Sequence, residues 1–414
     1  MNFFSFLPHP FIIVSDTCKD EWVAFNKCCL KLARQKIMKI ALIRQRFEMG
    51  VGGAERYAFE MAHTLQAAGH EVHIFAQRWD KNLEKQGLTI HPVPSLGPFA
   101  LTRMLSFMWF CHQNVSRADF DVVFSHQPLA QQDVTFSGCH RAWLQQRKRF
   151  FSVWKRFTLL FNLMHPITLW LESRAMSPKR TGLVIAHSEF VKRQIVEQYG
   201  FPAERIRVVH NGINWHRFSG VVRAPRTNGR FVLLYVGSGF ERKGLAYCIR
   251  ALARLPKSLD LLVVGNGRFA PYKKLADAIG VGEQVKYLGT TARIEEVYAS
   301  ADVLVHPAIY EPFGLVCLEA LACGLPVVTT QFVGAAEILT PGVDGAIVAD
   351  PRNSDALAEA IRPFLDVKRL NEASVAARKK VQSFSFESAI AKTLDVLQSA
   401  DEMKRACPRR VEHS

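Results

Sequence analysis

From Lys39 onward the chain alternates short apolar runs of strand length with longer stretches of helical periodicity, and it does so in two series. In the first, residues 39–43, 71–76, 121–125 and 183–186 read as strands, and 54–68, closed by Gly69, reads as a helix. A polar, Pro- and Gly-containing stretch at 211–229 interrupts the rhythm. It restarts with strands at 231–236, 259–264, 285–288, 302–306 and 327–329, and with helices near 244–254, 271–279, 293–299, 314–323 and 354–364. Strands separated by helices pair in parallel and are covered on both faces. The expected class is therefore α/β, with two Rossmann-like doubly wound parallel-sheet domains. The 414 residues suffice for two cores, and a hydrophobic fraction of 49% is ordinary for a folded chain. We expect domains at 38–212 and 213–383, a C-terminal helix within 384–400 and a tail at 401–414.

The second series carries the densest chemistry. His306-Pro-Ala-Ile-Tyr310-Glu311-Pro-Phe313-Gly314-Leu315-Val-Cys-Leu-Glu319 sets two carboxylates eight positions apart, between a strand and a helix. Glu311 falls in the loop at the strand's C-terminal end, where open α/β sheets bind ligands. Glu319 falls within the helix, roughly 7 to 8 Å along the axis from a start near Gly314, too far to share one proton or one small metal. Between them the N–H groups of Phe313, Gly314 and Leu315 lie at the positive end of the helix dipole and suit a phosphate. A ligand with a sugar at one end, a diphosphate in the middle and a ribose at the other fits this layout. Gly237-Ser-Gly-Phe-Glu-Arg242-Lys243-Gly244 places two cations just ahead of a helix, where they neutralise a departing diphosphate without a metal. Gly50-Val-Gly52-Gly53-Ala-Glu55 opens the first helix, and its glycines let backbone approach an anion closely; a plain strand-to-helix turn uses glycines too. Gly265 closes strand 259–264 and borders either a nucleotide base or a simple turn. No Asp-x-Asp site stands in a suitable loop, so neither metal nor cofactor is expected.

The spacing of Glu311 and Glu319 resembles the E-x7-E signature of the retaining family-4 glycosyltransferases, nucleotide-sugar-dependent enzymes of the GT-B fold, whose two Rossmann-like domains face each other across a cleft. The resemblance spans about residues 39–400. It implies that Glu311 holds hydroxyls of the transferred sugar, Glu319 the ribose hydroxyls, and Arg242 and Lys243 the diphosphate. It also implies that Gly52 and Gly53 come against that diphosphate and that the last helix crosses back to the first domain. A polar group from the first domain should reach the reacting face. His126, Asp133 and His140 are candidates, and the departure of Ser137-Gly138-Cys139-His140 from the family pattern leaves the choice open. In the retaining route the departing phosphate itself accepts the acceptor's proton, so no protein nucleophile is expected.

Charge points to an anionic partner: 53 Lys and Arg stand against 37 Asp and Glu, a net +16. Residues 141–180 hold nine of the basic residues and one acid, Glu172, which is half the excess. On a helical wheel Phe150, Trp154, Phe157 and Phe161 fall within about 60° of one another, with Arg141, Lys148, Lys155 and Arg156 on the far side. Such a segment reads as interfacial, with Arg147, Lys148, Arg149, Trp154, Lys155 and Arg156 at an anionic membrane surface; a solvated face over a core helix is the plainer reading. Asn162, His165 and Pro166 keep it from spanning a bilayer. No nucleic-acid module accompanies the charge, and nucleic acid is not expected as a partner.

This insertion, with Gly-Ser-x-Phe-x-Arg-Lys-Gly at 237–244, Val-Val-Gly at 263–265 and His-Pro-Ala-x-Tyr at 306–310, resembles the lipopolysaccharide core glucosyltransferase I group. That implies a UDP-sugar donor such as UDP-glucose, a heptose of the lipopolysaccharide core or another glycolipid as acceptor, and a peripheral position on the cytoplasmic face of the inner membrane. Nine scattered cysteines without a C-x-x-C pair fit a reducing cytosol. Residues 1–37 make a poor signal peptide, and Met38 opens directly into a strand, so they read as a non-conforming extension. A nucleotide-sugar epimerase and a non-catalytic membrane-binding protein are the rival classes.

Overall fold

The computed structural model describes residues 36–48, 53–85, 87–127, 129, 131–151, 164–214, 217–218, 221 and 229–406. Strands β1 (Lys39–Ile43), β2 (Arg46–Phe47), β3 (Glu71–Ala76), β4 (Arg78–Trp79), β5 (Thr89–Pro92), β6 (Val122–Ser125), β7 (Gln132–Ser137), β8 (Thr181–Ala186) and β9 (Ile206–Val208) belong to the first half. The second half holds β10 (Phe231–Val236), β11 (Leu259–Val264), β12 (Val285–Gly289), β13 (Val303–His306), β14 (Val327–Thr330) and β15 (Gly345–Val348). Continuous burial of β6, β13 and β14 explains why apolar residues run together at 122–124, 303–305 and 327–328.

The first sheet runs β5-β3-β1-β6-β7-β8-β9 and the second β12-β11-β10-β13-β14-β15, with parallel pairing throughout. Each begins at its middle, steps outward on one side and then reverses. The reversals fall between β1 and β6 and between β10 and β13, and ligands bind outside the C-terminal ends of strands at such switch points. His126 follows β6 and Glu311 follows the end of β13, so both occupy that position.

Helices cover both faces of each sheet. On the first sheet, Ala58, Met61 and Leu65 of helix Gly53–Ala67 pack on Ile40, Leu42 and Ile74. Phe107 and Cys111 of helix Ala100–Asn114 pack on Ala41, Ile43 and Val123 of the opposite face. Helix Phe386–Ala406 lies after the second domain in sequence yet buries Phe386, Ile390, Leu394 and Leu397 in the first domain's core. It extends beyond the segment expected at 384–400. Where the chain crosses, Ile213 N–H donates to Phe384 O and Phe386 N–H to Ile213 O, both at 2.9 Å. A Cβ on Gly212 would stand 2.3 Å from Ser385 O, so glycine is what lets the two connections lie side by side.

Among its described residues the basic segment forms helices His140–Phe150 and Met164–Ala175, and the first ends at Phe151 in extended backbone rather than running on as the expected amphipathic helix. Phe150 is not offered to a membrane: with Phe151 it packs against Ile309 and Phe332 of the second domain. Trp154, Lys155, Arg156, Phe157 and Phe161 lie outside the described residues, as do 1–35, Gly52 and 407–414. Among the described residues no helix is long and apolar enough to cross a membrane, and Cys111, Cys139, Cys248, Cys317 and Cys323 are buried free thiols.

Candidate active site

Two loops at the second switch point form one unit. A Cβ on Gly244 would lie 2.1 Å from Pro307 O, so the Arg242–Gly244 turn presses directly on the chain leaving β13. Ile309 N–H donates to Arg242 O at 2.9 Å, and Arg242 Nη1 donates to Tyr310 O at 2.8 Å. Glu311 is pinned through its backbone, its N–H donating to Phe332 O and its carbonyl accepting from Gly334 N–H, both at 3.0 Å. These bonds aim its carboxylate at the cations. Oε2 receives Arg242 Nη1 at 2.8 Å, with Lys243 Nζ at 3.6 Å and His306 Nε2 at 4.0 Å. Burial pushes the Glu311 carboxyl upward, but Lys243 and Arg242 outweigh it and hold the group at about 2. Lys243 in turn needs Gly237, because a Cβ there would fall 2.7 Å from its Nζ.

Gly314, at φ +100°, turns the chain into helix Leu315–Ala322, so Gly314 precedes the helix and Phe313 is buried beneath it. Glu319 is oriented by a residue the sequence did not single out: the hydroxyl of fully buried Tyr298 donates to Glu319 Oε2 at 2.7 Å. Gly265 backs the cation loop, since a Cβ there would lie 2.3 Å from Gly237 O.

On the first domain, the His126 ring is half-buried against Phe124 and Phe136, with Nδ1 3.4 Å from Arg44 Nη1. Arg44 pairs with Glu55, beyond Gly53 in the first turn of its helix, at 3.2 Å. His187 stacks on Phe136, their centroids 4.7 Å apart. Arg44 and His187 were missed; each stands alone just after a strand, and position at a strand's C-terminal end is the signal that could have found them. Asp133 is a correction. It sits at the start of β7, the opposite end of the sheet, where it pairs with Arg117, accepts from Val123 N–H at 2.8 Å and has Lys404 Nζ at 3.4 Å. It fastens the crossing helix and does not reach the donor loops. His140 opens helix His140–Phe150, its backbone N–H donating to Glu172 and its ring 3.3 Å from that of His165. The turn before it does reach the second domain, because the Tyr310 hydroxyl donates to Gly138 O and Cys139 O. Ser188 Oγ donates to Pro312 O at 2.8 Å, and Glu337 caps helix Glu189–Tyr199 by accepting from Glu189 N–H at 3.0 Å. These contacts join the two domains around the Glu311 loop.

Burial lowers His126 well below the ordinary 6.5, His187 to about 4, and His306, with Lys243 repelling its charge, to about 3. All three are neutral near pH 7. Their folded values are depressed, so the unfolded chain binds more protons below its pKa, and stability falls as pH drops from about 6.5. A thermal-unfolding series should show Tm declining from pH 6.5 toward 4.5; a flat profile there would contradict the burial.

The Glycosyltransferase Family 4 model matches residues 51–217, and the Glycosyl transferases group 1 model matches residues 222–381. Together they take in nearly all of both sheets. The chain belongs to the GT-B glycosyltransferases. It is similar to the lipopolysaccharide glucosyltransferase WaaG of Escherichia coli (strain K12), 28% identical over 330 residues that cover 76% of this chain and 86% of WaaG. The crystal structure of WaaG, a glycosyltransferase involved in lipopolysaccharide biosynthesis, superposes with a TM-score of 0.73 at 26% identity, covering 86% of this chain and 99% of that one. Anabaena HepE in complex with UDP-glucose shares the fold, with a TM-score of 0.64 at 20% identity over 89% of this chain and 100% of that one.

As a glycosyltransferase, the protein has its buried ionised carboxylate and adjacent cations at one switch point and its neutral histidines at the other. The former can grip hydroxyls and phosphates; the latter offers uncharged donors and acceptors. Among the described residues no group of three or more His, Cys, Asp or Glu is arranged to hold a metal ion.

Proposed function

We propose that this glycosyltransferase moves a hexose, glucose from UDP-glucose, onto a heptose of the lipopolysaccharide inner core, with retention of configuration. The observation that carries this reading is the ionised Glu311 carboxylate set against Arg242 and Lys243 at the switch point. Glu311 accepts hydroxyls of the sugar while the two cations neutralise the diphosphate, and Glu319, aimed by Tyr298, takes the ribose. The bond from the sugar's anomeric carbon to the phosphate oxygen breaks, UDP departs, and the acceptor oxygen bonds to that carbon on the same face. The acceptor's proton passes to the departing phosphate. His126, held neutral, lines the approach from the first domain. Similarity to WaaG supports the glucose donor and the lipopolysaccharide acceptor. A panel of nucleotide sugars with core-truncated lipopolysaccharide, followed by linkage analysis, tests the assignment; consumption of UDP-glucose without acceptor would indicate an epimerase.

With a glycolipid acceptor, we infer that the enzyme works as a peripheral protein at the cytoplasmic face of the inner membrane. Support comes from Lys148 and Arg149, exposed on helix His140–Phe150, and from the apolar side chains left outward on the same sheet face. Phe99 and Trp109 are 69% and 56% exposed around helix Ala100–Asn114, which carries no acid, and Trp170 is 56% exposed beside Arg174. Neutralising Arg147, Lys148, Arg149, Lys155 and Arg156 together should abolish sedimentation with anionic liposomes at low salt; unchanged sedimentation would refute the membrane role.

A further inference from the structure

His306 ends β13 with its main chain fixed, its carbonyl accepting from Thr329 Oγ1 at 2.8 Å and from Ala308 N–H at 2.9 Å. Its ring is completely buried, and neither Nδ1 nor Nε2 has a hydrogen-bond partner. A buried imidazole without partners opposes folding, so such a group is kept where another state of the site satisfies it. The geometry identifies that state. Three nitrogens converge on one oxygen, Glu311 Oε2, and His306 Nε2 stands outermost at 4.0 Å, beyond hydrogen-bond reach. Arg242 Nη1 is the nitrogen bonded to that oxygen. When a diphosphate arrives, Arg242 and Lys243 have a stronger anion to face, and the carboxylate would lose both partners just as it must hold the sugar.

We propose that His306 is the positioning residue for Glu311 in the donor complex: as Arg242 and Lys243 turn to the diphosphate, the His306 Nε2–H closes by about 1 Å onto Glu311 Oε2. A neutral donor suits this task. It fixes the carboxylate's direction without the counter-charge that would compete with sugar hydroxyls, and burial, with Lys243 beside it, keeps the ring uncharged. The inference rests on Glu311 as the grip on the transferred sugar.

The test compares His306→Leu with His306→Gln, whose amide N–H reaches about as far as Nε2. His306→Leu should lower kcat about 10- to 100-fold, the usual effect of losing a group that orients a first ligand contact. UDP affinity by calorimetry should stay within about twofold, because the phosphate cations are untouched, and His306→Gln should recover most of the rate. The inference is overturned if His306→Leu turns over normally, if UDP affinity falls in step with kcat, or if His306→Gln is as impaired as His306→Leu. Should His306→Leu fail to fold, ¹⁵N-histidine spectra of the unaltered enzyme decide. The Nε2–H signal should move to a hydrogen-bonded position on adding UDP-glucose, and no movement overturns the proposal. Normal turnover by Glu311→Ala would instead remove the underlying reading of Glu311, whereas an inactive Glu311→Ala beside a fully active His306→Leu would remove this inference alone.

Discussion

Glu311→Ala should bind UDP at least as tightly as the unaltered enzyme and transfer sugar about 10²- to 10³-fold more slowly. Both halves follow from one geometry. The carboxylate neutralises Arg242 and Lys243 in a buried site. Its loss leaves the two cations without a carboxylate to neutralise them, and a diphosphate then binds to charges it need not compete for. The hydroxyl grip disappears with the same substitution, so the sugar is no longer held against its leaving group and kcat falls. Glu311→Gln should resemble Glu311→Ala in rate, because it keeps shape but loses the charge that Lys243 and Arg242 hold ionised against burial. With that group titrating at about 2, no acid limb of activity above pH 4 should come from Glu311. Calorimetry with UDP and steady-state rates with a UDP-sugar separate the effects; parallel loss of UDP binding and turnover would assign Glu311 a structural role.

Lys243→Ala should do the opposite to binding. Its ammonium lies over Gly237 and beside Glu311, where on the proposed reading it would meet the negative charge that grows on the departing phosphate. Removing it should weaken UDP about tenfold and lower kcat/KM about 10²-fold or more, since a cation matched to the leaving group acts mostly in the transition state. Arg242→Ala should match it and add the loss of the bond to Tyr310 O, which holds the Glu311 loop. The double variant should cost less than the sum, because both cations serve one charge. If Lys243→Ala kept its kcat/KM within twofold, the diphosphate would have to lie elsewhere.

Much of this was readable before any coordinate. The strand and helix rhythm gave both parallel sheets because burial on two faces writes itself as unbroken apolar runs such as that of β10. Arg242, Lys243, Glu311 and Glu319 were legible because each lies in a contiguous motif at the end of a predicted strand. What failed depended on long-range packing. Asp133 was misplaced because a polar residue beside a strand does not reveal which end of the sheet it occupies, and β7 begins one residue before it. Phe150 belonged to a plausible apolar stripe, yet its partners Ile309 and Phe332 lie more than 150 residues away. β5, β9 and β15 escaped because they are short edge strands whose partly exposed residues break the apolar run. Helix Ala100–Asn114 escaped because apolar residues occupy both its buried and its outward faces, which blurs the helical period. His306, Arg44 and His187 are single residues whose meaning exists only once several strand ends are brought together.

The central claim is that Glu311, Arg242 and Lys243 hold one nucleotide sugar for transfer. Its most direct test is incubation of the enzyme with UDP-glucose and heptose-terminated lipopolysaccharide, with NMR of the anomeric linkage in the product. UDP and an α-glucoside on the heptose should form in equal amounts, with product formation strongly reduced in Glu311→Ala. A β-linked product, or product formation undiminished in Glu311→Ala, would contradict it.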